Sequence, residues 1–170
     1  MSQSVFIVDD DPAVRDSISL WLSCHGYDTQ CFADAKHFLG QVTQTLEGCI
    51  IADIRMPSMD GLELQAHLNK INCQLPLIFI TGHGTVPMAV EAIKNGALDY
   101  LRKPVDEMQL LQKVKEGFVI DSINNQKRQR SLQHQSRLNS LTKRELEVLE
   151  LVVAGTSNKV IASGLSISHR

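Results

Sequence analysis

The sequence predicts an α/β fold, a doubly wound five-stranded parallel sheet, followed by a helical linker and a small all-α module. Three observations carry this. Short apolar runs recur over the first 120 residues, "VFIV" at 5–8, "CIIA" at 49–52, "LIFI" at 77–80 and "LDYL" at 98–101, and most lack polar–apolar alternation. Strands covered on both faces of a parallel sheet have that character. Between the runs, apolar residues recur at helical spacing, so strand alternates with helix. Charge then divides the chain: residues 1–121 hold 16 acidic and 9 basic side chains, whereas residues 122–170 hold 3 and 8. An acidic body with a basic tail reads as two modules, the second suited to a polyanion.

The elements follow in order. The run at 5–8 ends in Asp9, Asp10 and Asp11. Asp11, just before Pro12, reads as the cap of a helix carrying Val14, Ile18 and Leu22. "YDTQCF" at 27–32 alternates more and reads as an edge strand. The third run ends at Asp53, and "SMDG" at 58–61 reads as a turn that caps the next helix. The fourth ends at Thr81. The following "TGHG" is no P-loop, because the G-K-[ST] ending is absent, and His83 reads as a loop side chain. Thr85 and Pro87 open a helix with Val86, Val90 and Ile93 at helical spacing, and Gly96 closes it. The fifth run contains Tyr100 and leads into Lys103-Pro104. After Asp106 an apolar period (Met108, Leu111, Val114, Phe118) continues towards Ile123 and fades into "NNQKRQRSLQHQSR", with Gly117 as an interruption. This reads as a helix leaving the first domain and becoming a basic linker. In "LTKREL" at 141–146, Thr142 and Glu145 form a capping box, with a hydrophobic staple between Leu141 and Leu146. The helix that follows places Leu146, Leu149 and Val153 on one face, Gly155 stops it, and "SNKVIASGL" begins a shorter one.

The bulk numbers exclude several classes. With 170 residues, 43% of them hydrophobic, the chain can bury a core and is not wholesale disordered. Its apolar runs are too short to cross a bilayer. "MSQSVFIVDDD" lacks a basic region, apolar stretch and cleavage site, so the expectation is a cytoplasmic protein. Cys24, Cys31, Cys49 and Cys73 form no C-x-x-C pair and read as free thiols in a reducing compartment, with Cys31 and Cys49 acting as small hydrophobes.

In an open α/β sheet, ligands sit outside the carboxyl ends of the strands. Those ends here bear Asp9 and Asp10, Asp53, Thr81 and Lys103. Singly, each has a blander reading: a helix cap, a turn residue, a solvated charge. Jointly they bring three carboxylates, a hydroxyl and an ammonium to one pocket. A divalent cation and the lysine would neutralise the carboxylates, and hard oxygen donors with positions left for water or phosphate favour Mg²⁺.

"VDDDPAVR", "DIRMPSMDG", "FITGHG" and "GALDYLRKP" resemble, in order and spacing, the receiver domain of two-component response regulators. The resemblance covers roughly residues 4–120 and implies a flavodoxin-like sheet of strand order 2-1-3-4-5. It implies that Asp53 accepts a phosphoryl group from a sensor histidine kinase. Asp9, Asp10, Asp53 and the Arg55 backbone carbonyl would hold Mg²⁺, Lys103 and Thr81 would contact the phosphoryl oxygens, and Tyr100 would be the aromatic that reports closure of Thr81. The Lys103–Pro104 bond is expected to be cis. Phosphorylation is expected to promote a two-fold homodimer through the face holding the 85–95 helix and the strand of Tyr100.

"LTKRELEVLELVVAGTSNKVIASGLSIS" resembles the start of a LuxR-type helix-turn-helix, the output module of the NarL/FixJ class, with Val160 and Ser166 departing from the usual Glu and Gly. The expected domains are therefore a receiver at 1–120, a basic helical linker at 121–138 and a partial DNA-binding domain at 139–170. Lys143, Arg144, Asn158, Lys159, His169 and Arg170 would make the DNA contacts. The chain reaches "SISHR" where the family's recognition helix begins, so the expectation for these 170 residues is weak promoter-DNA binding without sequence preference. Two other readings compete. A phosphatase of the haloacid dehalogenase type would need an Asp two residues after its nucleophile, where Arg55 stands. A receiver acting through protein contacts alone is the runner-up.

Overall fold

A computed structural model describes residues 3–43, 45–157 and 160–161. The chain divides into two compact units, Met1–Asn125 and Gln126–Arg170. In the first, β1 (Ser4–Val8), β2 (Asp28–Phe32), β3 (Gly48–Asp53), β4 (Leu77–Thr81) and β5 (Asp99–Arg102) form one parallel sheet in the order β2-β1-β3-β4-β5. This is the parallel sheet that the sequence predicts, in the strand order that the resemblance implies. The helices are α1 (Pro12–Cys24), α2 (Ala35–Gln41), α3 (Gly61–Lys70), α4 (Val86–Lys94) and α5 (Glu107–Asn139).

Alternate strand residues feed two core layers. Phe6, Val8, Ile50, Ala52 and Phe79 pack with Phe38 of α2, Leu64 and Leu68 of α3 and Ala92 of α4. Val5, Ile7, Ile51, Ile78 and Ile80 pack with Leu22 of α1 and Leu110 and Val114 of α5. Both strand faces are buried, which is why the apolar runs do not alternate. β2 is an edge strand, as its pattern predicts, and Cys31 on it is exposed. That corrects its reading as a small core hydrophobe: an edge strand turns part of its surface to water. Cys49 in β3 is buried, and burial, with the Asp121 charge adding, pushes its thiol up to about 12. It is a packing residue.

Local chemistry sets the helix ends. Asp11 caps α1 by accepting the Ala13 N–H at 2.9 Å, and Asp60 and Glu63 form a capping box on α3. Gly96, at φ +96°, lets α4 end in a Schellman turn, with the Ala97 N–H on the Ala92 carbonyl. The apolar period of α4 marks its solvent face: Val86, Val90 and Ile93 are 78%, 46% and 47% exposed, while Ala92 faces the sheet.

Helix α5 buries Leu111 and Val114 and half-buries Phe118 as expected, and corrects one position of the expected face, Met108. Met108 is 70% exposed, and Leu110, Leu111, Val114, Gly117 and Asp121 are buried. Asp106 accepts the Gln109 N–H at 2.8 Å, so the helix is capped where Leu110 and Val114, four residues apart, turn inward. Gly117 is a spacer rather than an interruption. A Cβ there would lie 3.0 Å from the Cβ of Cys49. Asp121 accepts the Gly48 N–H at 2.8 Å, which ties α5 to the start of β3.

In the second unit, α5 continues to Asn139 and α6 spans Lys143–Val153. The capping box is present in both directions: the Glu145 N–H donates to Thr142 Oγ1 at 3.3 Å, and the Thr142 N–H donates to Glu145 Oε2 at 2.8 Å. The Thr142 N–H and the Thr142 hydroxyl, both donating to Glu145 Oε2 at 2.8 Å, hold the Glu145 carboxyl below its ordinary range. Gly155, at φ +79°, ends α6 with the Thr156 N–H on the Leu151 carbonyl. The expected apolar face is corrected: Leu146 and Val153 are exposed, and Val148, Leu149 and Leu151 are half-buried. Residues 148–153 are apolar at every position but Glu150, so periodicity alone does not choose a face. Asn158, Lys159, His169, Arg170 and most of the shorter second helix lie outside the described residues. No helix among the described residues is long and apolar enough to cross a membrane.

Candidate functional site

Parallel strands end on one side of a sheet, and here that side collects the polar residues. Asp9 follows β1, Asp53 ends β3, Thr81 ends β4 and Lys103 follows β5. Asp9 and Asp53 are buried, and Asp10 is exposed. One carboxylate oxygen from each of the three lies within 4.8 Å of the others. Lys103 Nζ stands 2.6 Å from Asp9 Oδ2 and 3.6 Å from Asp53 Oδ2. Asp9 Oδ1 accepts the Asp11 N–H at 2.9 Å, and the Arg15 guanidinium donates to the Asp9 carbonyl at 2.5 Å. Asp53 Oδ1 accepts the Ile54 N–H at 2.9 Å.

Three carboxylates and one ammonium leave an excess of negative charge in a partly desolvated site. Burial raises the Asp53 carboxyl above the ordinary range; Lys103 works against that, and Asp9 and Asp10 add to it. The folded protein therefore holds a proton at Asp53 more tightly than the unfolded chain does. In metal-free buffer this site's contribution to stability is present below the unfolded carboxylate value, about 4. It is lost as the pH rises through the higher native value. Thermal melts in chelator should show the unmutated protein losing ground to Asp53→Asn across that window. Parallel profiles would contradict this.

Thr81 is buried. Its Oγ1 accepts the His83 N–H at 3.3 Å, and its carbonyl accepts the Lys103 N–H at 2.8 Å, which ties the hydroxyl and the ammonium together through the backbone. The Lys103–Pro104 bond is cis, as expected. Tyr100 is half-buried against the core layer of α2, α3 and α4, and among the described residues its hydroxyl is buried with no hydrogen-bond partner. Arg55 is exposed two residues after Asp53. Asp9, Asp10, Asp53 and Lys103 are thus brought together, with Thr81 at the next strand end. Lys143 and Arg144 lie exposed in the first turn of α6, the latter 3.5 Å from Glu147.

Sequence reasoning missed two residues of this site and one beside it. Arg15 is one, visible only as the last letter of "VDDDPAVR". Gly61 is the second: it is buried, its N–H donates to the Ile54 carbonyl at 2.8 Å, and a Cβ on it would lie 2.5 Å from the Asp53 carbonyl oxygen. Gly84, beside Tyr100 and Thr81, is the third. Neither glycine shows its role in the sequence, because the crowding around both comes from distant segments.

Comparison with known proteins agrees with this geometry. Residues 5–115 match the response regulator receiver domain, and residues 139–170 match the luxR family of bacterial regulatory proteins. The chain is 40% identical over 165 residues to the response regulator protein TodT of Pseudomonas putida, covering 97% of this chain and 73% of TodT. It is 38% identical over 167 residues to the transcriptional regulatory protein FixJ of Bradyrhizobium diazoefficiens, covering 98% and 81%. The structure of the response regulator StyR is similar with a TM-score of 0.88 at 39% identity, covering 99% of this chain and 85% of that one. An acidic pocket at the carboxyl ends of a 2-1-3-4-5 sheet, joined in one chain to a capped helix of the luxR type, has a single family reading: the chain belongs to the two-component response regulators of the NarL/FixJ class, with a receiver domain and a LuxR-type DNA-binding module.

Proposed function

We propose that Asp53 accepts a phosphoryl group from a sensor histidine kinase and that this event controls transcription through the LuxR-type module. The observation that carries the reading is Asp9, Asp10 and Asp53 within 4.8 Å of one another with Lys103 on two of them. Asp53 is the nucleophile. Asp9, Asp10, Asp53 and the Arg55 carbonyl would hold Mg²⁺, which supplies neutralisation of phosphoryl charge when bound. Lys103 shifts from its carboxylate partners to the added phosphoryl oxygens, and the Thr81 hydroxyl donates to another. The added charge is roughly −1.5 to −2, which is what these two donors sense.

Incubation with acetyl phosphate and Mg²⁺, followed by intact mass, tests the reading. One stable phosphoryl adduct per chain is expected of a phosphoacceptor regulator. Rapid multiple turnover without an adduct would make the protein a hydrolase instead.

The receiver is assigned to 1–120, the basic linker to 121–138 and the DNA-binding module to 139–170. A cytoplasmic location follows from a kinase partner and free thiols. Lys143 and Arg144 are assigned to phosphate-backbone contacts, which carry no sequence information and weaken with salt. Asn158, Lys159, His169 and Arg170 are assigned to DNA by the family resemblance.

Phosphorylation is assigned a two-fold homodimer through α4 and β5. Val86, Val90 and Ile93 make an exposed apolar stripe there, close to the strand of Tyr100. Val90→Glu would bury an unpaired carboxylate in that contact. Light scattering should then show phosphorylation-driven dimerisation weakened on the order of a hundredfold, or about 3 kcal/mol, with phosphoryl acceptance unchanged. A dimer of undiminished strength would place the contact on another face.

A further inference from the structure

Gly84 lies in the loop before α4, and the space where its side chain would stand is already filled. A Cβ on Gly84 would fall on Tyr100 Oη and within 2.7 Å of both Tyr100 Cζ and Thr81 Cγ2. The hydroxyl occupying that space has no hydrogen-bond partner among the described residues, although it is buried. A buried hydroxyl without a partner is costly, so no polar bond holds the ring in place. What permits the pose is the missing Cβ.

The surroundings decide what would yield if that Cβ were restored. Thr81 is buried at the end of β4, with its carbonyl fixed by the Lys103 N–H. The carboxyl-terminal end of α4 is pinned by two amides of α3: Gln65 Nε2 donates to the Ala92 carbonyl and Asn69 Nδ2 to the Asn95 carbonyl, both at 2.9 Å. The Tyr100 hydroxyl is the far end of a rotatable side chain on β5, an edge strand of the sheet. The ring is therefore the part that moves, outward from the slot.

We propose that Gly84 is the positioning residue of the switch: by withholding a side chain it lets Tyr100 occupy the slot beside Thr81, and it thereby sets how strongly phosphorylation of Asp53 is coupled to association through the α4–β5 face. A ring turned out would stand on that face and obstruct close packing against a second copy. Only the coupling rests on the phosphoacceptor reading; the slot does not. The side chain's own titration gives an independent readout. Burial raises the Tyr100 phenol above its ordinary value, with Arg102 opposing and Asp53 adding, and an exposed ring would lose that shift.

The test uses the full chain. Tyr27 and Tyr100 are its two tyrosines, so Tyr27→Phe isolates the phenol of interest. Adding Gly84→Ala should move the ultraviolet phenolate titration down towards the ordinary tyrosine value. It should leave one phosphoryl group per chain from acetyl phosphate and Mg²⁺, and weaken phosphorylation-driven dimerisation about tenfold or more. In a Tyr100→Leu background, where no ring remains to displace, the same Gly84→Ala change should alter dimerisation less than about twofold. An unmoved phenol titration overturns the proposal, as does an equal loss of dimerisation in the Tyr100→Leu background. If Gly84→Ala alone does not fold, recovery of folding in Gly84→Ala/Tyr100→Leu supports the slot, and continued failure overturns it. An unmutated chain that takes up no phosphoryl group would count against the phosphoacceptor reading, and the phenol titration would still judge the slot.

Discussion

Asp53→Asn is expected to abolish acid-labile, hydroxylamine-sensitive phosphorylation while raising the stability of the metal-free protein. The amide is nearly isosteric, and its oxygen can keep the Ile54 N–H bond now made by Asp53 Oδ1 at 2.9 Å. The fold therefore has no reason to change. The chemistry does, because an amide oxygen is not the nucleophile that a carboxylate is. Removing a nucleophile commonly costs a factor on the order of 10³ or more in rate. Stability moves the other way, since Asp9 and Asp10 lose a like charge within 4.8 Å. Intact mass after acetyl phosphate and a melt in chelator check both halves. Full labelling of the variant at an unchanged rate would remove Asp53 from the nucleophile's role.

Gly61→Ala is expected to destabilise the receiver by about 3 kcal/mol and to impair phosphoryl acceptance in the molecules that remain folded. One methyl group would ordinarily help a helix by about 1 kcal/mol over glycine. Here it would lie 2.5 Å from the Asp53 carbonyl oxygen, 2.9 Å from Ile54 Cα and 2.9 Å from Phe79 Cε1. Two of these are backbone atoms of the segment that carries the phosphoacceptor, and backbone cannot swing aside as a side-chain tip can. Relief requires α3 to move off, which breaks the Gly61 N–H bond to the Ile54 carbonyl, or Asp53 to shift relative to Lys103. Urea unfolding reads the first cost, and the phosphorylation rate under folded conditions reads the second. A variant as stable and as rapidly labelled as the parent would contradict both.

Sequence alone determined what depends on neighbours in the chain or on strand ends. The non-alternating runs specified buried parallel strands, and "YDTQCF" specified one of the two edges. Asp11, Asp60 and Thr142 announced helix starts, because a cap acts on backbone two or three residues away. Asp9, Asp10, Asp53, Thr81 and Lys103 were legible as one constellation, since every parallel strand delivers its end to the same side of the sheet.

Tertiary structure decided whatever depends on which side of a helix meets the rest of the molecule. The stripe of Val86, Val90 and Ile93 looks like any buried face, yet small Ala92 lies against the sheet and the stripe meets solvent. Met108 and Leu110 are equally apolar on paper, and only packing against the layer of Val5, Ile7, Ile51, Ile78 and Ile80 turns the second inward. Gly61, Gly84 and Gly117 carry no sign of their roles, because a glycine's function as a gap is defined by atoms elsewhere in the chain: Asp53, Tyr100 and Cys49. Asp121 is the polar counterpart, a carboxylate in an otherwise ordinary helix whose partner, the Gly48 N–H, is 73 residues away in sequence and 2.8 Å away in space. Chain-local signals fixed the elements and their ends, and packing between distant segments fixed the spaces that let the switch residues sit where they do.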